Sequence, residues 1–142
     1  MPEYDPQNVF AKILRGEMPC TKVYEDGEVL AFMDIMPRAD GHVLVIPKNP
    51  SRNILDAAPA DLSAAIVACQ KIARAAKAAM GADGVTLQQF SEPAGGQVVF
   101  HTHFHVMPRF EGEPLRPHTG EMADPGTLEA YAEKIRAELA AA

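Results

Sequence analysis

Apolar residues recur at three- and four-residue steps from Ala60 to Met80: Leu62, Ala65, Ile66, Cys69, Ile72, Ala73, Ala76 and Met80. Gln70, Lys71, Arg74 and Lys77 take the opposite side, so the spacing predicts an amphipathic helix over 60–80. Pro59 suits its first turn and Gly81 its end. Before it, Asn8 to Arg15 predicts a short helix closed by Gly16. Thr21–Tyr24 and Val29–Phe32 flank the turn residues Glu25, Asp26 and Gly27, which reads as a β-hairpin. His42–Ile46 is a short β-forming run, and Met36 to Gly41 a loop. After the long helix, Gly84–Phe90 predicts a strand and Ser91–Gly96 a loop. A last helix, from about Thr127 to Ala140, follows the start signal Asp124-Pro125 and carries the stripe Leu128, Tyr131, Ile135 and Leu139.

One further segment, VVFHTHFHVMPRF, alternates His101, His103 and His105 with β-branched or large residues. Successive side chains of a strand point to opposite faces, so the alternation puts all three imidazoles on one face. Phe100, Thr102, Phe104 and Val106 take the other. The element order lacks regular βαβ alternation, and an α+β fold with a mainly antiparallel sheet fits it best.

At 142 residues the chain is expected to be one domain with a real core. The net charge of −6 argues against a non-specific nucleic-acid binder. The N-terminus shows no signal-peptide pattern and no apolar run is long enough to cross a bilayer. Cys20 and Cys69 form no CxxC, which points to a reducing cytoplasm, and Cys69 reads as a small buried hydrophobe.

Imidazole can be nucleophile, base, acid or metal ligand near neutrality. The residues alone leave three readings of the trio: a metal site, core histidines, or a phosphoryl-transfer centre. The Gly95-Gly96-Gln97 turn just upstream favours the third, because a glycine turn can aim N–H groups at an anion and Gln97 adds an amide donor.

HTHFHVMPR resembles the His-φ-His-φ-His-φ-φ signature of the histidine-triad (HIT) superfamily, φ being hydrophobic. The stretch NVFAKILRGEMPCTKVYEDGEVLAFMDIMPRADGHVLVIPK is similar to the N-terminal half of that family. The resemblance covers about residues 8–110, is closest to the Hint-type branch and its bacterial relatives, and leaves a C-terminal helical extension at about 125–141. It implies a single HIT domain over 1–142, with a sheet extended across a homodimer and a pocket for a purine nucleotide of the AMP type. It implies no cofactor.

The resemblance implies that His103 attacks the α-phosphorus and forms a covalent nucleotidyl-imidazole, which water then hydrolyses. His105 would contact the phosphate and help move protons, His101 would orient the cluster, and Gln97 and Gly96 would hold the phosphate or leaving group. Asp34 matches the acid that grips the ribose hydroxyls, and Phe10, Phe32 and Ile35 match positions lining the base pocket.

The sequence departs from the pattern at several points. Many bacterial relatives build a zinc site from a CxxC, a histidine after the PK motif and the first triad histidine; here Asn8, Ala11 and Pro50 replace three of those ligands, so no structural zinc is expected. Val98 stands where Ser or Thr is usual, Ser91 is the nearest stand-in for a loop asparagine, and Thr102 occupies a φ position. The leading expectation is a hydrolase of purine nucleoside phosphoramidates. Its alternatives are a dinucleoside polyphosphate hydrolase, a nucleotide-binding regulatory protein with weak turnover, and a metal-binding module. His42 and His118 are expected to be structural and exposed respectively, and Arg109 to sit at the surface rather than on a phosphate.

Overall fold

A computed structural model of the chain describes residues 1–117 and 120–142. His118, expected to be exposed, lies outside the described residues. Five strands form one antiparallel sheet: β1 (Lys22–Glu25), β2 (Val29–Met33), β3 (Val43–Pro47), β4 (Gly84–Gln88) and β5 (Phe104–Arg109), in the spatial order β1-β2-β3-β5-β4. Three α-helices accompany it: α1 (Val9–Leu14), α2 (Pro59–Met80) and α3 (Pro125–Ala141). The arrangement is α+β, as the element order implies.

Asp26 builds the β1–β2 turn, its Oδ1 accepting the Glu28 and Val29 amides at 2.8 and 2.9 Å. α1 starts at Asn8, whose side chain accepts the Ala11 amide, and α3 starts at Asp124, which accepts the Thr127 amide. Gly41, at φ +83°, turns the chain into β3; a Cβ there would lie 2.6 Å from Met80 Cγ.

Every residue of β2 and β3 is buried, because both faces of the sheet are covered. Val29, Ala31, Met33, Val43, Val45, Phe104 and Val106 face α2, which meets them with Ala65, Ala68, Cys69, Ile72 and Ala76. Small alanines let the helix lie close to the sheet. Leu128, Ala132 and Ile135 of α3 complete this core, with Tyr131 and Leu139 partly buried beside it. Leu30, Phe32, Leu44 and Ile46 face the other way and pack with Phe10 of α1.

Two expectations are corrected here. Ile66, assigned to the apolar stripe of α2, is 46% exposed, because the alanine-rich stripe alone fills the contact with the sheet. The histidine run is not one continuous strand. β5 begins only at Phe104, and the backbone from Gln97 to His103 is irregular. That stretch is pinned to residues 51–53 instead of pairing in the sheet: the Thr102 amide donates to the Ser51 carbonyl at 2.9 Å, and Gln97 Nε2 to the Arg52 carbonyl at 2.6 Å.

Candidate active site

Cross-strand register sets the base of the site. Phe32 lies opposite Leu44, Leu44 opposite His105, and His105 opposite Gln88, so these side chains form a row on the α1 face of the sheet. His103, two residues before His105, joins them, with ring centroids 5.0 Å apart. Phe10 meets His103 edge-on at 4.9 Å and Phe32 at 5.4 Å. Phe90 meets His105 at 5.4 Å, and Gly96 lies against Phe90. Together they line a cavity of about 280 Å³ whose wall also includes Asp34, Ile35, Leu44, Val98 and Val99. Its surface is mostly apolar with a few convergent polar groups, the usual make-up of a small-molecule site.

Hydrogen bonds assign the tautomers. His103 Nδ1 lies 2.6 Å from the His101 carbonyl, so Nδ1 carries the proton and Nε2 the lone pair. The Arg38 amide donates to His42 Nδ1 at 3.0 Å, so the His42 proton sits on Nε2. That proton is directed at His105 Nδ1, 2.9 Å away. His105 therefore accepts at Nδ1 and holds its own proton on Nε2. One ring of the pair is set as a nucleophile and the other as a donor.

His101 is fully buried and lies outside the pocket wall. Its Nε2 donates to the Pro47 carbonyl at 2.8 Å and its Nδ1 accepts from the Tyr4 hydroxyl at 2.7 Å. Burial also pushes its pKa down, keeping it neutral. Of the three imidazoles, only His103 and His105 line the cavity; His101 meets His103 through its carbonyl. Tyr4 had no signal in the sequence, since its partner is 97 positions away.

Asp34 follows β2, and its Oδ1 accepts the Met36 amide at 2.8 Å. Burial raises its pKa to about 6. Its Oδ2 is 3.5 Å from His42 Nε2; with His42 neutral in this network the contact is not an ion pair. His42, expected to be structural, is fully buried and is the link between Asp34 and His105. Its place at the start of a β-run, directly upstream of an apolar strand, gave no hint of this.

Asp34, His42 and His105 each bring a ligand atom within 4.8 Å of the others, a spacing a metal ion could bridge. The donor set does not fit one. A metal on His42 Nε2 needs the lone pair there, whereas the Arg38 amide already requires the lone pair at Nδ1. The positions of the expected zinc motif do not fit either. Asn8 caps α1, Ala11 and Pro50 offer no ligand atom, and both nitrogens of His101 are engaged.

Other expected site residues divide. Phe10, Phe32, Asp34, Ile35, Gly96 and Val98 line the cavity. Gln97 is buried behind it: its amide donates to the Arg52 and Val99 carbonyls, and its oxygen accepts from the Glu92 amide and Asn53 Nδ2. Both amide protons go to the fold, so the side chain has none to give a phosphate. Ser91 is absent from the cavity wall and donates to Gln89 Oε1 at 3.1 Å. Arg109 donates to Thr86 Oγ1 and the Glu113 carbonyl, in keeping with a surface role.

Residues 15–112 match the model of the HIT domain. The chain belongs to the HIT family. A HIT-like protein of Bartonella henselae, described as involved in cell-cycle regulation, superposes with a TM-score of 0.90 at 52% identity, over 96% of this chain and 99% of that one. A zinc-bound histidine-triad protein of Mycobacterium smegmatis gives 0.84 at 35% identity, covering 95% and 94% of the two chains. The adenylylsulfatase HINT3 of Arabidopsis thaliana is 39% identical over 117 residues, 78% of this chain and 59% of its own length. Nucleotide binding and hydrolysis are the chemistry of this superfamily.

Proposed function

We propose that this HIT protein hydrolyses the bond between the α-phosphate of a purine nucleotide and an amine leaving group, through a covalent nucleotidyl-histidine. The observation that carries this reading is the 2.6 Å contact from His103 Nδ1 to the His101 carbonyl, which leaves the Nε2 lone pair for attack. The His103 nitrogen forms a bond to phosphorus as the phosphorus–nitrogen bond to the leaving amine breaks. The amine keeps that electron pair and takes a proton, for which His105 Nε2–H is the donor in the site. Water then attacks phosphorus and returns a proton to the Nε2 of His105 that the first step emptied, which releases the monophosphate and restores the His103 lone pair.

Phe10, Phe32 and Ile35 would enclose the base, and Asp34 would accept two ribose hydroxyls. The Gly96 backbone would face the phosphate. Among the described residues, the cavity wall contains no Lys or Arg, so a polyphosphate tail would meet no cationic partner there. This favours a phosphoramidate over a dinucleoside polyphosphate. A reading as a nucleotide binder with weak turnover draws on Val98 and Gln97, which supply no side-chain donor beside His105. A homodimer in the cytoplasm completes the proposal.

Parallel assays with an adenosine phosphoramidate and a diadenosine polyphosphate test the reading. The amide should be cleaved at the higher kcat/KM, and His103→Ala should abolish that activity while AMP still binds. Preferential cleavage of the polyphosphate would overturn the substrate assignment, and AMP binding without turnover of either would support the weak-turnover alternative.

A further inference from the structure

The segment Ser51–Arg52–Asn53 holds the loop beside the reacting histidines at four places. Arg52 Nε and Nη2 pair with the two Glu92 carboxylate oxygens at 2.8 and 3.2 Å, and Asn53 Nδ2 donates to the same carboxylate at 2.6 Å. The Arg52 carbonyl accepts from Gln97. The Arg52 guanidinium lies 4.1 Å above the Phe100 ring, and Ser51 pairs with Thr102 through backbone and side chain. Arg52 itself is 8% exposed, so this is a buried arginine rather than a surface ion pair.

Glu92 is the sole described non-glycine residue with positive φ, at φ 66° and ψ 161°, a region that suits glycine. Such a conformation persists only where the surroundings impose it, and here the side chain supplies the anchor. Glu92 also fixes the rest of the turn: its carbonyl accepts the Gly95 and Gln97 amides, and its amide donates to Gln97 Oε1. Gly96 and Val98, the loop residues in the cavity wall, follow directly.

We propose that Arg52 is a positioning residue: acting through Glu92, it holds the 91–98 loop in the shape that closes the phosphate end of the pocket against His103 and His105. The inference rests on the proposed nucleotidyl transfer for its effect on rate, but not for its effect on the loop. Arg52 touches neither the cavity nor the histidine rings, and the base and ribose side of the pocket is built from α1 and β2. Loosening the loop should therefore lower kcat and spare affinity for adenosine, which lacks the phosphate.

The test compares Arg52→Met, Arg52→Lys, Glu92→Gly and the Arg52→Met/Glu92→Gly double variant in the full chain. Glycine at 92 removes the backbone strain together with the anchor, so a purely structural role predicts that Glu92→Gly is benign. A positioning role predicts instead a loss of kcat of about tenfold or more in both Arg52→Met and Glu92→Gly, with adenosine affinity within about twofold of wild type. The double variant should be no worse than the poorer single one. Arg52→Lys, which keeps the charge but not the paired geometry, should fall between. Amide hydrogen exchange over 91–98, read without substrate, should quicken by about tenfold in Arg52→Met and Glu92→Gly. Unchanged exchange, or wild-type kcat in Glu92→Gly, overturns the inference. A wild-type protein inert toward phosphoramidates defeats the functional reading instead, and the exchange data then still decide whether Arg52 holds the loop.

Discussion

At the scale of single residues, protons are sorted by hydrogen-bond geometry. The Arg38 amide fixes His42, His42 fixes His105, and the His101 carbonyl fixes His103. Replacing His42 by Leu should let the His105 ring adopt the other tautomer and lower kcat by about 10–100-fold, with AMP affinity little changed; steady-state kinetics beside calorimetric titration check this. Asp34 makes a second prediction. Its carboxyl, ordinarily near 3.8, titrates at about 6 because burial penalises the anion. Between those values the folded chain keeps a proton that the unfolded chain has released, so stability falls as pH rises through that window and stays lower above it. Asp34→Asn should therefore be more stable than wild type at pH 8 by about 1–3 kcal/mol in urea denaturation, the gain vanishing toward pH 4, while nucleotide affinity drops. Of these residues, His103 and His105 stood out in the chain because alternating histidines are unusual, whereas Asp34 was singled out only through the resemblance to the HIT superfamily. His42 and Tyr4 were not: their roles come from contacts made across 63 and 97 positions. Gln97 misled for a related reason. A Gly-Gly-Gln turn suggests an anion cradle, yet the partners that claim the amide, Arg52 and Asn53, come from a distant segment.

At the scale of elements, the helices and the β1–β2 hairpin were readable because local rules suffice: a three-to-four-residue apolar period for α2, and a capping Asp124 and Pro125 for α3. The strand assignment failed at 101–103 because tertiary pinning to 51–53 outweighed intrinsic β-preference. Ile66 failed because a helical stripe read from sequence is wider than the one the sheet actually covers. The two faces of the sheet have separate tasks, a helical core on one and the pocket on the other. Ile72→Ala, at a fully buried position of α2, should cost about 2–5 kcal/mol in chemical denaturation. It should leave AMP affinity nearly unchanged in the folded protein, since the cavity opens on the opposite face.

Across the whole molecule, membership of the HIT family brings a nucleotide and leaves its partner groups to be argued from the pocket. No described helix is long and apolar enough to cross a membrane. The histidine cluster and the altered zinc positions are predicted to work without metal, so prolonged chelation should change neither turnover nor melting temperature; a loss of either that added zinc restores would contradict this. Sedimentation equilibrium should find a homodimer, and a monomer at every concentration would remove that part of the proposal. Burial also disposes of Cys69 as a reactive group, its thiol pushed up to about 12. What all of this leads back to is one nitrogen and one phosphorus. Rapid quenching of the protein with an adenosine phosphoramidate, followed by peptide mass spectrometry, reads that bond directly. An adenylyl group on the peptide containing His103, formed and consumed at rates matching turnover, is the predicted result. Undiminished hydrolysis by His103→Ala, with no adduct at that position, would contradict it.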